Sequence, residues 1–290
     1  GLLAIRCWEN VASQWYSVYD MEQDVPARAS IDFDGQMCSS LKLVGKVAWV
    51  ETDSRYELYD CSALPACPQI GQLTDPPGRL QVNGGACFLD PTTLVLTALD
   101  LSDPTTPVTG GSLTLPDSPR SLEIREGLAY LLYAGRLQIA DLTNPLSPRL
   151  IGDLSGIINA STMTVTAGIL VLQTSSCFQV VSVAEPANPR LLSPVVNTIP
   201  NGAIGAAVIS GNRMYQGSGS GVSVYDLTNP ACPRFLGLGT SAGGRVFLHM
   251  KHIMAPGAVY PLDCDDPLPA IFSDFHVTRA DRQVLVQWRS

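Results

Sequence analysis

Apolar and polar positions along this chain alternate in short bursts, without the three-to-four-residue rhythm of a helix. Residues 119–154 show the unit. "SLEIRE" alternates, Gly127 supplies a turn, and "LAYLLYA" reads as a more deeply buried strand. "GRLQIADL" reads as a third strand, a proline-rich turn interrupts the chain, and "RLIGDL" reads as a fourth. Gly45, Gly85, Gly127, Gly168 and Gly211 fall at the same turn of successive copies, where positive φ is cheap only for glycine.

The unit recurs. "LQIADLTNPLSPRLIGDL" around Asp141 returns as "VSVYDLTNPACPRFLGLG" around Asp226, "LTALDLSDPTTPVTGGSL" around Asp100 and "FQVVSVAEPANPRLLSPV" around Ser182. Weaker copies surround Asp20, Asp60 and Asp263, and the step from one anchor to the next is 37 to 44 residues. A period near 40 with several short strands per copy predicts an all-β fold: one seven-bladed β-propeller domain of four-stranded blades over residues 1–290. "RQVLVQWRS" takes the place of a first strand and "GLLAIRCW" that of a second. One blade is therefore expected to be built from both chain ends, closing the ring and hiding two strand edges. The competing reading makes "FHVTRADRQVLVQW" the start of an immunoglobulin-like domain.

The anchors have a structural reading. Asp60, Asp100, Asp141, Asp226 and Asp263 end a strand, where a carboxylate accepts nearby backbone amides. Pro145 and Pro148 then preset φ and remove donors, so the chain leaves the strand. These aspartates are expected to hold turns rather than to catalyse.

Apolar residues followed by Asp-Leu-Ser/Thr-Asn/Asp-Pro-x-x-Pro, as at Asp100–Pro107, Asp141–Pro148 and Asp226–Pro233, resemble the LVIVD-repeat family of bacterial and archaeal surface propellers. The likeness spans nearly the whole chain, strongly in the middle four copies and loosely at Asp20 and Asp263. Ser182 departs from the usual aspartate. The resemblance implies an exported or cell-surface β-propeller and little about activity, because a fold does not fix a function.

Composition narrows the partners. Charged residues make up 15% of the chain, against about 25% in a typical globular protein, which leaves neutral surface suited to burial against another protein. A net charge of −8 with only three lysines (Lys42, Lys46 and Lys251) argues against nucleic acid. No run of 18 apolar residues is present, so no transmembrane segment is expected. The first residue, Gly1, fits a mature chain from which a signal peptide has been removed. Eight cysteines (7, 38, 61, 67, 87, 177, 232 and 264) form no C-x-x-C pair. An even count without metal spacing favours disulfides and a secreted, cell-surface or periplasmic location. Cys61 and Cys67 bracket one short loop and are the pair to expect.

Candidate chemistry is sparse. Trp8, Trp15 and Trp49 with Tyr16 and Tyr56 crowd into the first 59 residues, where they would form a stacking platform for a glycan or a protein partner, or else fill gaps between blades. "HMKH" sets His249 and His252 across a hairpin, two weak metal candidates without an evident third ligand. "LDCDDP" offers Asp263, Asp265 and Asp266 to calcium but continues into no complete calcium loop. "GSGSG" (217–221) precedes no helix and is not a phosphate cradle. No G-x-S-x-G elbow is present, and no cofactor is expected. The expected function is a non-enzymatic extracellular module that binds or scaffolds within a protein assembly. The alternative is a secreted glycan-active enzyme or lectin-like glycan binder, working through the channel mouth or an aromatic patch.

Overall fold

The computed structural model describes residues 2–10, 13–20, 27–32, 40–44, 46–52, 55–82, 86–103, 106–198, 207–218, 221–240, 247–249, 252–255, 258–261, 274–280 and 283–289, with side chains at 18, 29–31, 40–44, 46–52, 55–81, 86–103, 106–198, 207–218 and 221–239. Among these residues the secondary structure is strand and turn, with no helix.

Strands β1 (Leu2–Asn10), β2 (Ser13–Asp20) and β3 (Ala27–Asp32) form the first antiparallel sheet. The second is β4 (Ser40–Val44), β5 (Val47–Glu51), β6 (Arg55–Asp60) and β7 (Gln69–Thr74). The third is β8 (Arg79–Val82), β9 (Ala86–Asp90), β10 (Val95–Asp100) and β11 (Val108–Thr114). The fourth is β12 (Ser121–Arg125), β13 (Leu128–Tyr133), β14 (Arg136–Asp141) and β15 (Arg149–Ser155). In the fifth, β16 (Thr162–Thr166), β17 (Ile169–Gln173) and β18 (Cys177–Ser182) are followed by two short strands on the same edge, β19 (Arg190–Leu191) and β20 (Val196–Asn197). The sixth is β21 (Val208–Ser210), β22 (Arg213–Ser218), β23 (Gly221–Asp226) and β24 (Arg234–Thr240). The seventh is β25 (Phe247–His249), β26 (His252–Ala255) and β27 (Ala258–Pro261). Last, β28 (Asp274–Ala280) and β29 (Gln283–Arg289) form a hairpin with Ala280 opposite Gln283.

β29 holds the "QVLVQW" segment expected to open a blade shared by both chain ends, and it pairs here with β28. Only two residues separate β28 from β29, and so short a connection favours antiparallel pairing. In "GSGSG" (217–221), Gly217 and Ser218 end β22 and Gly221 begins β23.

In the second to sixth sheets the second and third strands are mostly buried on both faces, which explains runs such as "AWV", "YLLY" and "LVLQ". Fourth strands alternate exposed and half-buried positions, as in β7 and β11. The chain divides into two compact units, one of Gly1–Ser118, Leu122–Tyr130 and Ile139–Ile151, the other of Pro119–Ser121, Leu131–Gln138 and Gly152–Ser290. Residues of the fourth sheet fall in both. In the first unit, Val18 and Ile31 pack on Ala48, Val50 and Cys61, joining the first sheet to the second. Trp49, Tyr56 and Leu58 pack on Leu80, Phe88 and Leu99, joining the second to the third. In the second unit, Val171, Phe178 and Val180 pack on Met214, Tyr225 and Leu227, joining the fifth to the sixth.

The turns after the third strands of the second to sixth sheets share a set of hydrogen bonds. Asp60, Asp100, Asp141 and Asp226 accept the amide two residues on, from Ser62, Ser102, Thr143 and Thr228, at 2.8–3.0 Å. The next residue inward, Cys61, Leu142, Val183 or Leu227, is buried and donates its amide to the hairpin carbonyl of Lys46, Gly127, Gly168 or Asn212. A further amide–carbonyl bond closes the turn in all five copies from Ala66–Ala63 to Cys232–Asn229. The hairpin of the fourth sheet passes through Glu126 and Gly127 at φ +52° and +77°, a two-residue turn whose second position suits glycine.

Candidate functional site

The anchor carboxylates are committed to these turns. Hydrogen bonds from Ser62 hold Asp60 below the usual carboxylate range, and those from Ser102, Thr143 and Thr228 do the same for Asp100, Asp141 and Asp226. Arg149 and Arg234, each the first residue of a fourth strand, add ion pairs to Asp141 and Asp226 at 3.2 and 3.6 Å. A carboxylate kept ionised and saturated by local donors makes a poor general acid. Asp263, Asp265 and Asp266 lie outside the described residues.

The aromatic platform does not survive at Trp49 and Tyr56. They are 1% and 2% exposed, tilted against each other with centroids 6.1 Å apart, and Tyr56 meets Phe88 at 5.8 Å. They fill the space between the second and third sheets, because a large ring placed where two sheet faces meet is drawn into the core. The side chains of Trp8, Trp15 and Tyr16, on β1 and β2, lie outside the described set.

The backbone register sets His249 directly opposite His252 at the β25–β26 turn, with their side chains likewise outside the described set. Among the described residues no three His, Cys, Asp or Glu side chains gather as a metal site would require. Cys61 and Cys67 are joined by a disulfide across the turn of the second sheet. Cys87, Cys177 and Cys232 are free, respectively buried, half-buried and exposed.

One polar cluster escaped the sequence reading. Lys42 on β4 donates to the Leu80 carbonyl of β8, the Leu80 amide donates to the Tyr56 hydroxyl at 3.0 Å, and Ser40 donates to Glu51 at 2.6 Å. Burial pulls the Lys42 ammonium below its ordinary range, against the opposing pull of Glu51 and Cys87. Burial pushes the neighbouring Cys87 thiol up to about 12. A protonated thiol beside a lysine already bonded to a carbonyl is a staple between two sheets, not a nucleophile.

Several large apolar side chains face outward among the described residues. In the first unit Val108, Leu146 and Leu150 are exposed, Leu146 by 75%. In the second, Leu191, Val195, Phe235, Leu236 and Leu238 are exposed. All sit on fourth strands or beside them. A readable signal for the last three was present: "RFLGLG" crowds apolar residues into a fourth strand where "RLIGDL" carries a charge.

No protein-family model matches the chain, and no curated protein matches it. Among solved structures it is similar to a protein from Lactobacillus plantarum, with a TM-score of 0.65, 9% identity and 94% of each chain covered. It is also similar to a functionally unknown protein from Desulfotomaculum acetoxidans, with a TM-score of 0.61, 12% identity, and 86% of this chain and 89% of that one covered. A third is Hsv2 of Kluyveromyces lactis, with a TM-score of 0.54, 13% identity, and 79% and 74% covered. The fold is propeller-like. At such identities the likeness concerns architecture alone, and a propeller-like fold hosts many unrelated activities.

Proposed function

We propose that this chain is a non-enzymatic binding or scaffold propeller of an extracellular protein assembly, related to the LVIVD-repeat surface proteins. The observation that carries the reading is the set of exposed branched and aromatic residues on or beside fourth strands, from Val108 and Leu146 to Phe235 and Leu238. Within the second unit alone, Phe235, Leu236 and Leu238 are exposed side by side on β24, and exposed apolar side chains gathered in this way mark protein contacts. Two of the charges beside the exposed set, Arg149 and Arg234, are taken up by their own anchors. The disulfide at Cys61–Cys67 supports export.

The full architecture in this reading has seven blades. Five sheets have the four-position layout, the first sheet has three strands, and so does the seventh. The anchor Asp20 ends β2, as Asp141 ends β14, the third strand of its sheet. The first sheet is thereby one strand short at its leading edge, and in the proposal β29 fills that place. The decisive test is the native mass of the protein gently extracted from its source, with co-purifying chains identified. A particle well above the 30.9 kDa of one chain is expected; a lone chain overturns the scaffold reading.

A further inference from the structure

The fifth sheet breaks the rules that its neighbours keep, and it breaks them at one edge. In the fourth and sixth sheets the fourth strand opens with an arginine that pairs with the anchor aspartate: Arg149 with Asp141, Arg234 with Asp226. In the fifth the arginine stays as Arg190, in the same register opposite the anchor position, but the anchor is Ser182. Among the described residues no carboxylate lies within ion-pair distance of Arg190. The cation is exposed.

The strand itself is also broken. Other fourth strands run six or seven residues, whereas here β19 and β20 have two each. Ser193 makes the break. Its hydroxyl accepts the Val180 amide at 2.8 Å and donates to the Pro194 carbonyl at 2.9 Å, while the Leu192 and Ser193 amides both reach the Val180 carbonyl. The ladder is satisfied without a continuous strand, and Leu191 and Val195, on either side of the break, are exposed by 42% and 49%. Interruptions of this kind are functional devices more often than defects.

We propose that this edge, with Arg190, Leu191 and Val195, is the docking site for an extended segment of a partner protein that presents a carboxylate between branched apolar residues. The proposal rests on the binding-module reading and names its surface. Charge decides the occupant: an exposed guanidinium opposite a serine, with no carboxylate partner among the described residues, calls for an acid. The two apolar side chains call for aliphatic neighbours to that acid.

Ser182→Asp tests it without removing anything. It rebuilds the Asp–Arg pair of the adjacent sheets, so the variant is expected to keep or raise its melting temperature while neutralising Arg190. A dye-labelled peptide Val-Glu-Val-Glu-Val is expected to bind the native protein in preference to Val-Lys-Val-Lys-Val. Ser182→Asp and Arg190→Gln should each weaken that binding about fivefold, as loss of one exposed charge contact allows. No binding of the acidic peptide, or equal binding by native protein and both variants, overturns the docking site. The native mass separates this failure from failure of the broader reading. A large particle in both native protein and Ser182→Asp removes the docking edge alone, whereas a lone native chain removes the scaffold reading with it.

Discussion

Asp141 owes its lowered pKa to donors that exist only while its turn is folded: Thr143 first, then Arg149. Between the folded and unfolded values the unfolded chain binds the proton and the folded chain does not, so stability falls as pH falls. The contribution is fully present above the ordinary carboxylate value of about 3.9 and is lost as pH drops through the lowered one. Asp60, Asp100 and Asp226 act in the same direction. The urea midpoint is therefore expected to hold steady from neutrality to about pH 5 and to fall below about pH 4. Asp141→Asn keeps an acceptor for the Thr143 amide but not the titrating charge, so its acid slope should be shallower; an unchanged slope would show that the turn donors do not set it. Asp141→Ala should cost about 1 kcal/mol. The cysteines make a second contrast. Cys232 is exposed, while Cys87 is buried with its thiol raised to about 12. Ellman's reagent at pH 8 is expected to titrate Cys232 at once and Cys87 only after unfolding. The sequence displayed both thiols equally, because their difference is burial, a property of the assembled sheets.

At the scale of elements, the turn after the third strand fastens one sheet to the next. The Gly111 amide on β11 donates to the Pro145 carbonyl in the turn of the fourth sheet at 2.7 Å. A Cβ at Gly110 would stand 2.1 Å from that carbonyl oxygen, and one at Gly111 2.5 Å from the Leu146 oxygen. Neither obstacle is a side chain that can swing away. Gly110→Ala is therefore expected to cost about 2 kcal/mol in urea unfolding, as overpacking against backbone does. Gly237→Ala on β24, where a Cβ meets nothing within 4 Å, should stay within about 0.5 kcal/mol and is the control. Equal effects would mean that the close approach carries no load. The turn itself was legible from "DLTNPLSP", because each of its residues acts on neighbours a few positions away. That it presses on the preceding sheet was not legible. The glycines doing the yielding lie in a different copy, and in sequence "GG" reads only as a weak strand.

Over the whole molecule, what the repeat made readable and what it hid divide along the same line. Copies spaced 37 to 44 residues apart each carry a complete set of strand and turn signals, so the succession of antiparallel sheets could be anticipated copy by copy. Trp49 and Tyr56 could not. Their fate depends on which two sheets face each other, and a platform and a sheet-to-sheet filling have the same sequence. The proposed closure into seven blades would belong to that second kind, since it would join segments at opposite ends of the chain. It also has a physical incentive. In their own sheets β1 and β29 are each terminal strands, with one edge unpaired by sheet neighbours, and an open edge invites pairing with other molecules. Spin labels at Leu3 on β1 and Gln287 on β29, in a background where serine replaces every cysteine outside the Cys61–Cys67 disulfide, test whether the two edges satisfy one another. Neighbouring strands lie about 5 Å apart, so closure should broaden the spectrum strongly by dipolar coupling. The broadening should vanish in urea together with the strand signal. A native spectrum no broader than the sum of the single-label spectra would leave both edges open and refute the ring.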